Sequence, residues 1–251
     1  MRLWITDFGL LIFSQSKIHN RQSAPPLMAN QDHLDLLLQG LEVWNKFRRT
    51  QPTVRPDLRS ADLSGYDFTR MDFAGCDLTG TDLSDAYLLR ANLEEADLTG
   101  ANLTEADVIE ANLLKATLTN ATLVMVDLSG TGLIRANLAG ADLSKANLTR
   151  ASLPWGNLQG CRLTHTNLKM ADLREADLTE ADLTEANLQD ASLTGSIFQR
   201  ANLKGAKNVS VEYLGKARTL FQAILDPQFQ EEIEKTYPHL LRQPTASFRH
   251  S

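Results

Sequence analysis

The sequence predicts an all-β solenoid, and three observations on one repeat support this prediction. An apolar residue returns every five residues from Leu58 to Leu203, at 30 positions of which 26 are Leu. The residue two before it is Ala in 19 of these units, and the residue one before it is Asp or Asn in 22. Because a period of five matches neither the 3.6 of a helix nor the 2 of a straight strand, the chain must turn once in each A-(D/N)-L-x-x unit.

The direction of the side chains follows from this turn. Ala and Leu of one unit lie two residues apart, so they point to the same side of an extended chain. The x-x positions hold mainly Thr, Ser, Gly, Glu, Lys and Arg, which are typical of turns and wet surface. We therefore expect coils with Leu and Ala inside and the other positions outside. A single coil cannot bury its own core, so the coils must stack, and the period alone allows three or four sides.

This pattern resembles the pentapeptide-repeat family over about 150 of the 251 residues. The flanking segments VWNKFRR (43–49), KARTLFQAILDP (216–227) and YPHLL (237–241) resemble those of members common in photosynthetic bacteria. The resemblance implies a right-handed, quadrilateral (four-sided) parallel β-helix with four units per coil. Thirty units then correspond to 30/4 = 7.5 coils, or a rod of about 36 Å at one strand spacing per coil.

Departures from the repeat, where Ala or Asp/Asn is lost, cluster at three places. These are Val126, the pair at 131–132 (Thr-Gly), and 154–156 (Pro-Trp-Gly). Because the Leu register continues on both sides of each place, we expect local irregularity there without a break in the coil.

The segment before the repeat, residues 29–55, is predicted to form an N-terminal capping helix. Residues 31–49 place apolar side chains at helical spacing, and Pro52 stops the helix before the repeat begins at residue 56. Such a cap covers the core and the strand edges that an open coil exposes. The alternative is a docking or dimer element.

The repeat ends at residue 207, and residues 208–242 are predicted to form C-terminal capping helices. The first begins at Ser210 and carries apolar residues on one face as far as Ile224. The second opens at Asp226-Pro227, an N-cap followed by proline at the first helical position. Residues 243–251 are predicted to be a disordered tail.

The first 28 residues form a leader with three alternative explanations. Its apolar residues run from Trp4 to Phe13, but Asp7 interrupts them, and the run is too short to span a bilayer. Translation could start at Met28, or the segment could be a poor signal peptide or a disordered leader. We expect a cytoplasmic protein with no membrane partner.

The chemistry-bearing residues do not converge in the sequence. Cys76 and Cys161 both occupy the small inward position, about four coils or roughly 20 Å apart, which is too far for a disulfide. We expect buried free thiols and a reducing compartment. The five histidines form no ligand spacing with the cysteines, and nucleophile, zinc and phosphate-loop motifs are absent. We therefore expect no enzymatic activity, no metal and no cofactor.

A candidate docking patch arises where corner residues become apolar. With four units per coil, residues 20 apart stack, and contiguous exposed apolar surface marks interaction sites. The patch would bind an unidentified protein, or a second copy in a homodimer, and the alternative is that its side chains pack against one another without function. It comprises Leu89, Ile109, Leu114, Ile134, Pro154 and Trp155.

A candidate acidic surface lies near the end of the repeat. From Leu58 to Ala206 there are 21 Asp/Glu and 12 Lys/Arg, so this segment carries 12 − 21 = −9. Direct nucleic-acid binding is not expected, because such a rod neutralises no phosphates. The surface comprises Asp172, Glu175, Asp177, Glu180, Asp182, Glu185 and Asp190.

Two functions follow from these surfaces. The sequence favours a non-enzymatic protein–protein interaction scaffold or binding module. The family resemblance implies an alternative, since some members are thought to imitate duplex DNA and occupy a type II topoisomerase such as DNA gyrase, as inhibitors or protectors. Those members lean more on Phe at the core position, whereas this chain is rich in Leu.

Overall fold

The computed structural model describes residues 28–244. The predictions for the leader before residue 28 and for the tail after residue 244 lie outside these residues. The helices are α1 (Gln31–Leu38), α2 (Leu41–Thr50), α3 (Val211–Leu214) and α4 (Pro227–Thr236), and a 3-10 helix follows at Pro238–Leu241. The repeat lies between α2 and α3. No helix within the described residues is long and apolar enough to cross a membrane.

The repeat is held together by parallel bridges of one residue each. The first joins Asp57 to Asp77, and the series continues in steps of five to the bridge between Asn187 and Lys207. Every bridge in this series joins residues 20 apart, which corresponds to four units per coil. Each side of a coil therefore has the Asp/Asn position of one unit at its centre, facing outward.

Each corner of the coil is a turn closed by a backbone hydrogen bond. In the first unit, the Ala61 N–H donates to the Leu58 carbonyl at 3.2 Å. The second x residue, Ser60, has φ = 54°, while the first does not have a positive φ. This combination defines a type II turn. The Asp/Asn side chain supports the corner, as where Asp97 accepts hydrogen bonds from the Thr99 N–H and hydroxyl at 3.1 and 2.7 Å.

The core is a stack of Leu and Ala side chains with a few polar replacements. The inward Leu, Phe and Val residues from Leu58 to Leu203 are buried. Thr81, Thr131 and Thr166 replace the inward Ala, and each donates its hydroxyl to a carbonyl 23 residues earlier, at 3.0, 2.7 and 2.7 Å. These hydroxyls are satisfied within the core, so the small inward position accepts Thr.

The coil continues without a break at the three unusual places, as predicted. The local irregularity expected at 131–132 and 154–156 is wrong, and at Val126 it amounts to a corner hydrogen bond of 3.4 Å to the Leu123 carbonyl. The bridges continue through these places, as between Gly132 and Ser152. The Gly156 N–H still closes its corner on the Leu153 carbonyl at 3.0 Å. The reason is that backbone groups form the bridges and turns, and the small inward position accepts the side chains of Val126 and Thr131 without displacing them.

The N-terminal segment forms two helices and not the single helix predicted. Gly40 lies between α1 and α2 with φ = 94°, a conformation that a continuous helix cannot contain. The side chains of α2 then bond the exposed edge of the first coil. Trp44 donates its indole N–H to the Asp72 carbonyl at 2.8 Å, Asn45 accepts from the Asp72 N–H at 2.9 Å, and Arg48 donates to the Ala74 carbonyl at 2.5 Å.

The first C-terminal helix is shorter than predicted. It ends at Leu214, although the apolar spacing suggested a helix as far as Ile224. Instead, Thr219 and Ile224 form bridges to Ile197 and Asn202, so the chain adds two further sides to the last coil. The physical reason is that the five-residue pattern resumes at Leu220 and Leu225, and pairing with the coil overrides the helical spacing.

The second C-terminal helix begins where the sequence predicts it. Asp226 is the N-cap of α4 and Pro227 its first residue. The Asp226 carboxylate accepts hydrogen bonds from the Gly205 N–H at 3.2 and 3.1 Å, which joins the helix start to the last corner of the repeat. Ile233 of α4 and Leu240 of the 3-10 helix are buried against the core.

The two kinds of glycine in the coil should respond oppositely to alanine. Gly100 occupies a corner with φ = 65°, so we expect Gly100→Ala to destabilise the fold by about 1 kcal/mol. Gly132 lies at the centre of a side without a positive φ, and an added Cβ would meet nothing nearer than 3.9 Å. Gly132→Ala should leave stability unchanged or raise it by up to about 1 kcal/mol. Urea unfolding midpoints of both variants measure this difference, and equal losses would contradict the assigned turn geometry.

Candidate protein-docking face

The predicted docking residues border one side of the rod. We call this side the Gly132 face, and its centre is the bridged column Asp72, Asn92, Asn112, Gly132, Ser152, Asp172 and Ser192. The Arg90 N–H donates to the Ile109 carbonyl at 2.9 Å, which places Leu89 and Ile109 in the column at one corner of the face. At the other corner, the Lys115 N–H donates to the Ile134 carbonyl at 2.9 Å. The structure therefore brings the two predicted columns to the two edges of one face.

Exposure along these columns is uneven. Trp155 is 58% exposed and Ile134 is 36% exposed. Leu89, Ile109 and Leu114 are half-buried. The exposed part of the predicted patch is therefore centred on Trp155 and Ile134.

Pro154 is buried, so its assignment to the exposed patch is wrong. Its carbonyl accepts from the Arg135 N–H at 3.0 Å, and the next residue, Trp155, donates its N–H to the Arg174 carbonyl at 3.0 Å. The short proline ring thus lies in the column between the longer residues Ile134 and Arg174.

Trp155 holds an unusual position for a large apolar residue. It is the second corner residue of its unit and has φ = 57°, the left-handed conformation. The Arg135 guanidinium lies 5.8 Å from the centroid of its ring, a cation–π distance. The indole therefore remains largely exposed, with a cation on one side.

The predicted acidic residues are spread over several sides of the rod. Asp172, Asp177 and Asp182 each belong to a different bridged column. Asp177 is only 8% exposed, and it accepts hydrogen bonds from the Thr179 N–H at 2.9 Å and the Gln159 amide at 2.5 Å. Its assignment to the acidic surface is therefore wrong, because the carboxylate is bonded both within its own corner turn and to the Gln159 side chain of the preceding coil.

Basic residues neutralise much of the remaining acidic surface. Arg174 forms a two-pronged pair with Asp172, and this hydrogen bonding holds the pKa of Asp172 below its ordinary value. Glu180 pairs with Arg200 of the neighbouring coil at 2.7 Å, and Glu175 pairs with Arg218 of the C-terminal segment. Glu185 lies 3.4 Å from both His165 and Lys207. Among the described residues, Asp182 and Asp190 have no basic partner within 4.0 Å.

The charge is distributed unevenly along the rod, which the sequence analysis above did not predict. Residues 127–170 contain five Lys/Arg and two Asp/Glu, so this central segment carries 5 − 2 = +3. Residues 58–126 carry 4 − 12 = −8, and residues 171–206 carry 3 − 7 = −4. A count over shorter windows of the sequence reveals this pattern, whereas the total of −9 conceals it.

The two cysteines are buried free thiols, as predicted. Cys161 donates its S–H to the Leu138 carbonyl at 2.9 Å. Burial raises the pKa of the Cys76 and Cys161 thiols to about 12. Within the part of the chain that the structure describes, no group of three or more His, Cys, Asp or Glu side chains could hold a metal ion.

The fold and the surface together define a repeat rod with a Leu/Ala core, whose variable residues face outward. The chain belongs to the pentapeptide-repeat family. The family model described as pentapeptide repeats matches in 8 copies, which together cover more than half of the chain. The matched segments are 57–94, 76–113, 96–133, 127–164, 157–195 and 171–207.

Solved structures of pentapeptide repeat proteins are similar to this chain. HetL of Nostoc sp. strain PCC 7120, involved in heterocyst differentiation regulation, is 28% identical, with 72% of this chain and 94% of HetL covered and a TM-score of 0.23. The protein alr5209 of Nostoc PCC 7120 is also 28% identical, with 42% and 84% covered and a TM-score of 0.35. A trypsin-treated form of QnrB1, a plasmid-mediated fluoroquinolone resistance protein, is 17% identical, with 74% and 99% covered and a TM-score of 0.47.

The family assignment rests on the repeat match and not on these superpositions, whose TM-scores all lie below 0.5. A search of curated proteins found no significant match.

The buried thiols predict a pH dependence of stability. Their pKa of about 12 in the folded chain exceeds the ordinary value of 9.0, so the folded chain keeps protons that the unfolded chain releases above about pH 9. Their contribution is fully present below pH 9 and is lost as the pH rises towards 12. At pH 10 the loss should be about 1–2 kcal/mol per thiol.

Urea unfolding of the parent chain and of a Cys76→Ala, Cys161→Ala variant, each at pH 8 and pH 10, measures this effect. The parent should lose more stability than the variant between the two pH values. The variant serves as the control for tyrosine and lysine titration, and equal losses in both proteins would show that the thiols are not desolvated.

Proposed function

We propose that this chain is a non-enzymatic protein–protein interaction scaffold that binds an unidentified protein through outward residues of its repeat. This proposal draws on the right-handed rod of about 7.5 coils that the family resemblance implies, with the helices predicted to cover both ends. The single observation that supports it most is the exposure of Ile134 and Trp155 on the Gly132 face. Exposed apolar surface of this kind marks interaction sites.

The separation of inward core positions from outward variable positions in each unit supports the same proposal. Two of its five positions are inward and are filled by Leu, Ala and their apolar or hydrogen-bonded replacements. The remaining positions lie in corners and side centres, where residues can change without disturbing the bridges. Recognition by surface residues is the activity that such a rod supports best, as in other solenoids with extended binding surfaces. Free, buried thiols fit a reducing compartment and hence the proposed cytoplasmic location.

The alternative function is imitation of DNA towards a type II topoisomerase. A DNA mimic needs carboxylates spaced along a rod of negative potential. Here the ion pairs of Asp172, Glu175, Glu180 and Glu185 reduce that potential, and the central segment is positive. These observations favour the scaffold.

A supercoiling assay with purified DNA gyrase tests the alternative directly. We expect the full chain to leave supercoiling unchanged at equimolar and tenfold molar excess, with or without a fluoroquinolone. The same assay with the double variant Arg135→Gln, Arg150→Gln controls for the positive segment. Inhibition or drug protection by the parent chain would favour the DNA mimic over the scaffold.

Capture of a partner by the tagged full chain tests the proposed scaffold. We expect at least one protein from the native host to be retained by the parent chain. Its recovery should fall by roughly tenfold with the double variant Ile134→Thr, Trp155→Asn, because residues at the centre of an interface dominate binding. Quantitative mass spectrometry of the retained proteins measures this.

The matched control is Met125→Asn, which changes an exposed apolar corner residue with the same backbone conformation on a different corner. Asparagine tolerates positive φ, so neither corner should unfold. The scaffold proposal fails if no protein is retained above a tag-only control. It also fails if every retained protein binds both variants as well as the parent.

A further inference from the structure

The Gly132 face carries cations that lack the partners found in earlier coils. At one corner, Arg90 pairs with Glu110 at 2.7 Å. Sixty residues after Arg90, in the same column, Arg150 lies between Gly130 and Met170. Within the described residues, no carboxylate oxygen lies within 4.0 Å of the Arg150 guanidinium.

At the opposite corner of the Gly132 face, cations further along the column also lack a carboxylate partner. Lys115 pairs with Glu95 at 2.8 Å, whereas the next residue in that column is Arg135, followed by Trp155. Residues 28–244 hold no carboxylate within 4.0 Å of Arg135, nor of Lys169, which neighbours Arg150. Both edges of the face therefore present unpaired positive charge in the segment of net charge +3.

Large apolar residues accompany these cations. Each corner has one residue with positive φ. Among the described residues of the repeat, this residue is a large apolar one only at Met125, Trp155 and Met170. Trp155 and Met170 border the Gly132 face, with 58% and 44% exposure. A bulky residue in this conformation costs about 1–2 kcal/mol and here gains little burial in return. Their presence is explained if something outside the chain covers them.

The centre of the Gly132 face carries smaller residues than its two edges. Gly132 has no side chain, and Ser152 follows it in the column. An added Cβ at Gly132 would meet nothing nearer than 3.9 Å, so the space outside it is open. A partner's backbone can thus approach the floor while its side chains reach both edges.

We propose that the Gly132 face binds a short acidic segment of a partner protein. Carboxylates of that segment pair with Arg135, Arg150 and Lys169, and its apolar side chains pack against Ile134, Trp155 and Met170. This inference rests on the proposed scaffold function and identifies the chemistry of the partner.

The positive segment is short, which favours a short acidic peptide over a nucleic acid as its ligand. Residues 127–170 span 44/20 = 2.2 coils, or about 11 Å along the axis. A longer polyanion would reach the flanking segments of charge −8 and −4, which lie within about one Debye length of the positive segment. Duplex DNA, whose affinity depends on many phosphate contacts, is disfavoured for this reason.

An array of random octapeptides, probed with the labelled full chain, tests this inference. We expect the bound peptides to be enriched in Asp and Glu together with Leu, Phe or Trp. A selected peptide should bind the double variant Arg135→Gln, Trp155→Asn at least tenfold more weakly, because both an edge charge and the central aromatic are lost. Its affinity for the parent chain should fall as salt rises.

The matched control is Lys145→Gln, Met125→Asn, which removes the same charge and a similar apolar residue from a corner that does not border this face. Its affinity should stay within twofold of the parent, and thermal unfolding of all three proteins should agree. A 20-base-pair DNA duplex is the second probe, and we expect no binding at physiological salt.

The inference is overturned if the bound peptides lack acidic enrichment, if both variants bind alike, if no peptide binds, or if the duplex binds more tightly than the peptides. None of these results by itself removes the scaffold function. That proposal depends on capture of a partner through Ile134 and Trp155, whatever the charge of the partner.

Discussion

The structure depends on backbone hydrogen bonds between residues about 20 apart. In each coil, the N–H of the outward residue donates to the coil before it, as from Asp97 to the Cys76 carbonyl at 2.9 Å. The N–H of the following Leu donates to the coil after it, as from Leu98 to the Thr117 carbonyl at 2.7 Å. Because only backbone groups form these bonds between coils, the outward side chains can vary, apart from the Asp and Asn residues that support the corners. The same bonds align the inward Leu/Ala stack and the columns on which any binding surface must be built.

The ends of the rod show how this lattice is completed. The first coil has no preceding coil to bond, and the side chains of α2 take over this role, with Trp44 and Arg48 donating to carbonyls of the coil edge. The last coil is followed by two further sides and then by α4. Protection of exposed edges is a general need of β structures. The Gly132 face lies between these two ends.

Periodicity predicted the inward and outward positions, because one repeated unit dictates them, whereas the column spacing of 20 residues followed only from the family resemblance. It also predicted the start of α4 at Asp226-Pro227, where a cap residue and proline define a local signal. It failed at Gly40, whose positive φ divides the N-terminal helix, and at 215–225. There, apolar residues fit both a helix and a five-residue unit, and pairing with the coil decided between them. Pro154 and Asp177 were misjudged because burial depends on the neighbours 20 residues away as well as on the repeat position.

The distance between corners in solution tests the four-unit coil most directly. Nitroxide labels at Glu105→Cys and Glu185→Cys, in a Cys76→Ala, Cys161→Ala background, mark one corner column at an interval of 80 residues. Twenty residues per coil place the labelled backbone positions four coils, or about 19 Å, apart on the same corner. Fifteen residues per coil, as in a three-sided rod, place them more than five coils apart, at about 26 Å. A pulsed-EPR distribution centred near the shorter distance is the predicted result, and one centred near the longer distance would contradict the account.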